Sequence, residues 1–185
     1  MATTVAAEPV FEVTPFAGYR AGGQFRDAGS GDALDLSDGS GVALALNWRA
    51  SEPGTQYELL YSRQSTDTGG ATPVDLKIEY LQLGGTTVIG EDTGRVVPFA
   101  AGGIGAARFT PSPVGLSQET RWSFNLGGGV RIPLARHVRL RFEARGYLTW
   151  LGGNANLFCD GGCTIVAKGK SFFQYEALGG VSIGF

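Results

Sequence analysis

The chain has 185 residues, a net charge of −2 and 30 glycines, and only 17% of its side chains are charged, against about a quarter in average soluble domains. A charge balance so near zero argues against a nucleic-acid partner. Glycine at this density argues against a helical fold, since each interior glycine costs a helix about 1 kcal/mol relative to alanine. No run of about 18 apolar residues occurs, which excludes a transmembrane helix but not a transmembrane β-barrel, whose individual strands give a weak signal.

Residues 1–9 open the stretch MATTVAAEPV, which lacks a basic start and an apolar core. They are expected to be the disordered N-terminus of a mature chain whose signal peptide has been removed, the alternative being a cytoplasmic protein with a disordered lead. Residues 10–185 read as one domain. Val10–Gln24 is the first strand: Phe11, Val13, Ala17 and Tyr19 alternate with Glu12, Thr14, Gly18 and Arg20, and alternation places the two sets on opposite faces. Pro15 obscures where this strand begins, because proline removes a ladder hydrogen bond. Phe25–Gly39, rich in Gly, Asp and Ser, is a loop. Ser40–Arg49 is the second strand, with Val42, Leu44, Leu46 and Trp48 on one face. Pro53-Gly54 marks the next turn. Gln56–Gln64 is the third strand, Tyr57, Leu59 and Tyr61 opposing Glu58, Leu60 and Ser62.

After a polar loop at Ser65–Pro73, Val74–Leu83 is the fourth strand, continuing through Val88. Val74, Leu76, Ile78 and Tyr80 are expected on its apolar face, against Asp75, Lys77 and Glu79. Gly90–Gly94 is a turn. Arg95–Phe109 is the fifth strand, where small residues blur the pattern; Val97, Phe99 and Ala101 are expected to point outward. Thr110–Glu119 is a loop. Thr120–Trp150 then gives the clearest pattern in the chain. Trp122, Phe124, Leu126, Val130 and Ile132 alternate with Arg121, Ser123, Asn125 and Arg131; Val138, Leu140, Phe142, Ala144, Leu148 and Trp150 alternate with Arg139, Arg141, Glu143 and Arg145. Pro133–Arg136 joins the two as a hairpin. Leu151–Lys170 is the last loop, and Ser171–Phe185 is the eighth strand, with Phe173, Tyr175, Ala177, Val181, Ile183 and Phe185 on one face and Gln174, Glu176, Leu178 and Ser182 on the other.

The pattern predicts an all-β fold: an eight-stranded antiparallel up-and-down transmembrane β-barrel. Long connections follow the first, third, fifth and seventh strands and mostly shorter ones the others. In a closed meander this collects long extracellular loops at one end and short periplasmic turns at the other. A soluble lipocalin-type barrel would invert the faces, apolar inward and charged outward. The polar face carries Glu12, Glu58, Asp75, Glu79, Glu143 and Glu176 with Lys77, Arg121, Arg131, Arg139, Arg141 and Arg145. An eight-stranded barrel has room inside only for side chains, and buried charges there must pair. This balanced set is therefore expected to form a charge network plugging the lumen, with Arg145 and Glu176 as one cross-strand pair and Arg121 or Arg141 as substitutes for Arg145. Trp48, Tyr57, Phe99 and Phe185 are expected in one aromatic belt, and Tyr19, Tyr61, Trp122, Trp150 and Phe173 in the other.

Cys159 and Cys163 are the only cysteines. Flanking Asp-Gly-Gly, they are expected to close a small disulfide, with a metal half-site and two free thiols as the alternatives. Catalytic chemistry is sparse. The single histidine, His137, falls in a turn without a positioned partner. Glu143 and Glu176 are read as salt-bridge carboxylates rather than an acid–base pair. The glycine runs Gly102–Gly105 and Gly127–Gly129 lead into no helix, so they cannot present a helix N-terminus to phosphate; they are read as space for bulky interior neighbours. No catalytic residue, metal ligand or cofactor is expected, and the chain is read as non-enzymatic.

The closing stretch FQYEALGGVSIGF, with Tyr175, Val181, Ile183 and Phe185 on one face, resembles the C-terminal signal that the barrel-assembly machinery reads. TPFAGYRAGG, VVPFAAGGIGAARF and FNLGGGVRIPL resemble the opacity-protein and outer-membrane protein A/X type of small barrel, from about Val10 to Phe185. That resemblance implies the bacterial outer membrane, with lipid, lipopolysaccharide and the assembly machinery as partners and surface ligands unspecified. It implies a structural or surface-recognition role through the loops, a narrow channel or a lipid-modifying enzyme being alternatives. The peptidoglycan-binding domain of outer-membrane protein A has no counterpart in this sequence.

Overall fold

The computed structural model describes residues 10–27, 33–67, 75–90, 94–112, 118–151, 155–157, 165–167 and 171–185. In chain order the strands are β1 (Phe11–Ala21), β2 (Gln24–Asp27), β3 (Ala33–Asp35), β4 (Gly39–Arg49), β5 (Thr55–Asp67), β6 (Asp75–Val88), β7 (Val97–Pro111), β8 (Glu119–Ala135), β9 (Val138–Trp150), β10 (Ala155–Leu157), β11 (Ile165–Ala167) and β12 (Ser171–Gly184). Eight of them close a barrel in the order β1–β12–β9–β8–β7–β6–β5–β4, with β4 hydrogen-bonded back to β1. Every neighbouring pair is antiparallel. Closure leaves no barrel edge, and so satisfies the backbone of a strand in lipid.

The stretches 22–38 and 151–170 are more than loops. They supply a second sheet in the order β10–β11–β2–β3. Gly22 and Gly23, with φ of 83° and 104°, turn the chain from β1 into β2; a Cβ on Gly23 would lie 2.6 Å from the Phe172 ring, so the bend needs glycine on both counts. The contrast between the two barrel ends rests on these two connections, since 89–96 is no shorter than 68–74 or 112–118. Arg136 and His137 form the tight turn between β8 and β9, beside a register shift at Pro133/Ala135. At Pro15 the ladder with β12 lapses between Val13↔Ile183 and Phe16↔Gly180, and a Thr14–Ser182 hydroxyl contact of 2.8 Å bridges the gap. Residues 1–9 and Cys159 and Cys163 lie outside the described residues.

Outward positions carry large apolar side chains, among them Leu126 at 75% and Trp122 at 69% exposure. Inward positions carry Glu, Arg, Asn, Gln, Ser and Thr that are nearly all inaccessible. This is the inside-out pattern of a barrel in lipid. Two strands depart from expectation. On β6 it is Leu76, Ile78 and Tyr80 that are buried inside, while Asp75, Lys77 and Glu79 face outward. The three charges are therefore not luminal. A strand without a bulge keeps its phase, and in β6 the inward set continues through Gln82 and the outward set through Leu81 and Leu83. On β7, Val97, Phe99 and Ala101 are 2%, 1% and 3% exposed. They point inward, the reverse of the expected orientation, and Phe99 leaves the proposed belt. Its ring lies under two cations, 4.6 Å from the Arg131 guanidinium and 4.8 Å from that of Arg141, a contact that favours the inward rotamer over lipid.

Candidate functional site: the filled lumen

Period-two alternation on β9 stacks Arg139, Arg141, Glu143, Arg145, Tyr147 and Thr149 inward, from the turn end toward the opposite end. Around the middle of this column Glu58 and Glu143 meet Arg141 and Arg145. Arg141 Nη2 lies 2.6 Å from Glu58 Oε2 and 2.8 Å from Glu143 Oε2. Arg145 Nη2 lies 2.7 Å from Glu58 Oε1, and its Nε 2.8 Å from Glu143 Oε1. Each carboxylate thus bridges both guanidiniums, and each guanidinium both carboxylates. Neutral amides complete the shell: Asn47 accepts from Arg141 at 3.0 Å and donates to Glu58 at 3.1 Å, and Asn125 accepts from Arg145 at 3.1 Å. All four charged residues are 5% exposed or less. Charge-assisted bonds of this kind, bidentate where Arg145 meets Glu143, offset the desolvation of buried ions.

Glycine makes the room. A Cβ on Gly127 would approach Arg145 Cγ to 2.9 Å, and one on Gly129 would approach Glu143 Cβ to 2.8 Å. The run read as space for interior neighbours is that space.

A second cluster sits one step along the column. Arg20 Nη2 is 2.7 Å from Glu176 Oε1 and also donates to Ser62. Ser62 donates to Glu176 Oε1 at 2.8 Å, and Tyr147 donates to its Oε2 at 2.8 Å. The Tyr80 and Tyr147 rings stack at 4.3 Å, and the Arg20 guanidinium lies 4.8 Å from the Tyr80 ring centroid. Arg145 and Glu176 are direct partners in the β9–β12 ladder, but their side chains diverge: Arg145 turns to Glu58 and Glu143, and Glu176 to Arg20. The two are cross-strand neighbours as expected, but the expected ion pair is replaced by Arg20–Glu176. Arg20 was the cation missing from the anticipated network; its alternation with Tyr19 already placed it inside.

Toward the turn end, Arg139 pairs with Glu12 at 3.3 Å. Arg131 bonds to Gln56 at 3.0 Å and Thr86 at 2.6 Å. At the other end Arg121 pairs with Glu119 at 3.0 Å, and beyond Tyr80 large apolar side chains join the buried Gln64, Thr149 and Gln174. Leu36, Leu76, Ile78, Phe109, Leu151 and Phe172 are all buried there in one cluster, the two phenylalanines edge to face at 5.4 Å. Tyr175, Val181 and Ile183 line the outer wall of β12, and the exposed Phe185 follows it. His137 stands in the exposed turn, where its carbonyl accepts from Gly184 N at 2.9 Å. Among the described residues no set of His, Cys, Asp and Glu is placed to hold a metal.

The architecture is shared with solved outer-membrane barrels. Neisserial surface protein A matches with a TM-score of 0.67 at 16% identity, covering 95% of this chain and 97% of that one. OprG of Pseudomonas aeruginosa matches with a TM-score of 0.63 at 11% identity, covering 98% and 99%. The N-terminal β-barrel domain of Pseudomonas aeruginosa OprF matches with a TM-score of 0.50 at 11% identity, covering 96% and 99%. At these identities the likeness is one of fold. No curated protein sequence matches the chain significantly. The sequence model of the outer membrane protein beta-barrel domain matches residues 1–158, and with the closed antiparallel barrel it assigns the chain to that family of the bacterial outer membrane.

Proposed function

We propose that this protein is a non-enzymatic outer-membrane barrel with a plugged lumen, acting in the envelope through the end that carries 22–38 and 151–170, which we place at the cell surface. The observation that carries this reading is the double closure of the interior. The Glu58–Glu143–Arg141–Arg145 lattice fills the midsection, and the Phe109–Phe172 cluster fills the lumen beyond it. These two fillings support a lumen narrowed by its own side chains, so the reading has recognition take place on the outer wall or the surface-exposed connections. Lipid and lipopolysaccharide are the proposed surroundings, and the outward face of β12 ending at Phe185 is the proposed handle for the assembly machinery. Single-channel recording on the refolded protein in planar bilayers tests the plug. Only brief, rare openings are expected; a steady open level would favour the narrow-channel reading. Turnover of lipid A by the same preparation would favour an enzyme.

A further inference from the structure

The charges of β6 that face outward require an explanation, because an outward charge in hydrocarbon is costly. Glu79 lies directly across from Arg63 on β5 and from Arg108 on β7, and Arg63 and Arg108 are exposed. The carboxylate of Glu79 is already engaged: Tyr61 donates to it at 2.6 Å, and Lys77 Nζ lies 3.5 Å away. Among the described residues neither Arg63 nor Arg108 has a carboxylate within ion-pair distance. One step toward the barrel's middle, the outward positions on these strands and on β8 become Tyr61, Leu81, Ala106 and Trp122. The guanidiniums thus stand immediately above an aromatic and apolar belt, the level of lipid headgroups. Acids come further out, at Asp67 and Asp75. The small Ala106 leaves a shallow depression between Tyr61, Glu79, Leu81, Arg108 and Thr120. Among the described residues the opposite wall has nothing similar. At its corresponding level β1, β9 and β12 present Tyr19, Leu148, Trp150, Phe173 and Tyr175, without an outward charge.

We infer that the outer wall of β5–β7 is a binding site for the phosphate groups of an outer-leaflet glycolipid, held by Arg63, Lys77 and Arg108. Arginine and lysine at headgroup depth are the groups that engage lipid phosphate. Glu79 and the Tyr61 hydroxyl orient Lys77 from below. Acyl chains would lie along the belt, with the depression over Ala106 taking the first part of one chain. The lipid would bind on one side of the barrel only. This inference rests on the outer-membrane reading of the protein and adds to it a site and a chemical group.

The test uses the full chain refolded into phosphatidylcholine vesicles, with insertion first checked by the heat-sensitive gel mobility of a folded barrel. Bisphosphorylated lipid A is then titrated into the vesicles, with retention on the affinity-captured protein as the readout. Loss of each cation should weaken retention about fivefold, so Arg63→Gln with Arg108→Gln should cost on the order of 25-fold. Arg136→Gln, which removes a charge from the opposite end, should change nothing. Fully dephosphorylated lipid A should bind the unaltered protein more than tenfold more weakly, an arm that needs no variant to fold. Equal retention of both lipids, or undiminished retention by the double variant, overturns the site. Competition by millimolar inorganic phosphate would show that the wall takes a soluble anion instead, and also overturns it. Failure of the unaltered chain to insert would remove the outer-membrane reading and the site together, and the gel shows that outcome separately.

Discussion

The lumen is filled in two different ways. Its midsection packs Glu58, Glu143, Arg141 and Arg145 into a closed lattice of ion pairs. The end beyond Tyr80 packs Leu36, Leu76, Ile78, Phe109, Leu151 and Phe172 into an apolar cluster. Both bury their side chains, but they should fail differently. Apolar packing loses stability in proportion to the volume removed. A buried ion lattice tolerates balanced removal and responds sharply to imbalance, because the uncompensated charge retains its full desolvation cost.

The largest expected effect follows from unbalancing the lattice. Glu58→Gln leaves Glu143 alone against Arg141 and Arg145 and should cost about 3–5 kcal/mol in urea unfolding from lipid vesicles. Adding Arg141→Gln restores the balance and should return part of that loss. If Glu58→Gln unfolds within about 1 kcal/mol of the unaltered protein, the midsection is hydrated enough to behave as a wet face, and the contrast between the regions disappears.

The junction of the two regions gives the next effect. Glu176 accepts from Arg20, Ser62 and Tyr147, just below the apolar cluster. A double-mutant cycle on Arg20→Gln and Glu176→Gln should give a coupling of about 1.5–3 kcal/mol, the range for hydrogen bonds to charged groups. The cycle on Arg145 and Glu176, paired in register but not through their side chains, should give a smaller one. A larger Arg145 coupling would mean that the ladder neighbours meet after all. Within the apolar cluster the expectation is gentler still: Ile78→Val should cost about 0.5–1.5 kcal/mol. A loss as large as that of Glu58→Gln would show that the apolar end also fails sharply rather than in proportion to volume.

What could be read from the chain divides along the same line. The β8–β9 hairpin is legible because it crosses the full apolar band: there the outward face is greasy and the inward face charged, polar or small, and period-two alternation assigns both. The closed eight-stranded meander follows from such strands. The pattern of β6 misleads because the strand rises out of the band. Above the belt the outer wall meets headgroups and water and becomes polar, while the lumen closes with Leu76, Ile78 and Tyr80, so the hydrophobic pattern inverts within a continuous strand. The signal was present: the apolar set runs on even positions to Tyr80 and on odd positions from Leu81, and a strand without a bulge cannot change face. β7 was ambiguous for another reason. Ala100, Gly102 and Ala106 weigh little on either face, and Phe99 is drawn inward by Arg131 and Arg141. Which luminal cation takes which carboxylate was not legible, because alternation fixes a side chain's face and leaves its reach across the lumen open.

The smallest effect is the most direct test of that inversion. Glu79 is chemically like Glu58, with a cation close by in each case, so sequence alone would give the two the same role. In the structure Glu79 lies on the outer wall, part-exposed, with Lys77 at 3.5 Å and Tyr61 at 2.6 Å, whereas Glu58 is sealed between two arginines. An exposed pair is worth about 0–1 kcal/mol, since solvent and salt screen the attraction and two mobile side chains must be held in place. Glu79→Gln should therefore shift urea unfolding by less than about 1 kcal/mol, and raising the salt concentration should shrink that difference further. A luminal Glu79 would behave like Glu58: its loss would cost several-fold more, and added salt would leave the difference nearly unchanged, because ions cannot enter a filled lumen. Measuring both variants at low and high salt separates the two placements by the size of the loss and, independently, by its response to screening.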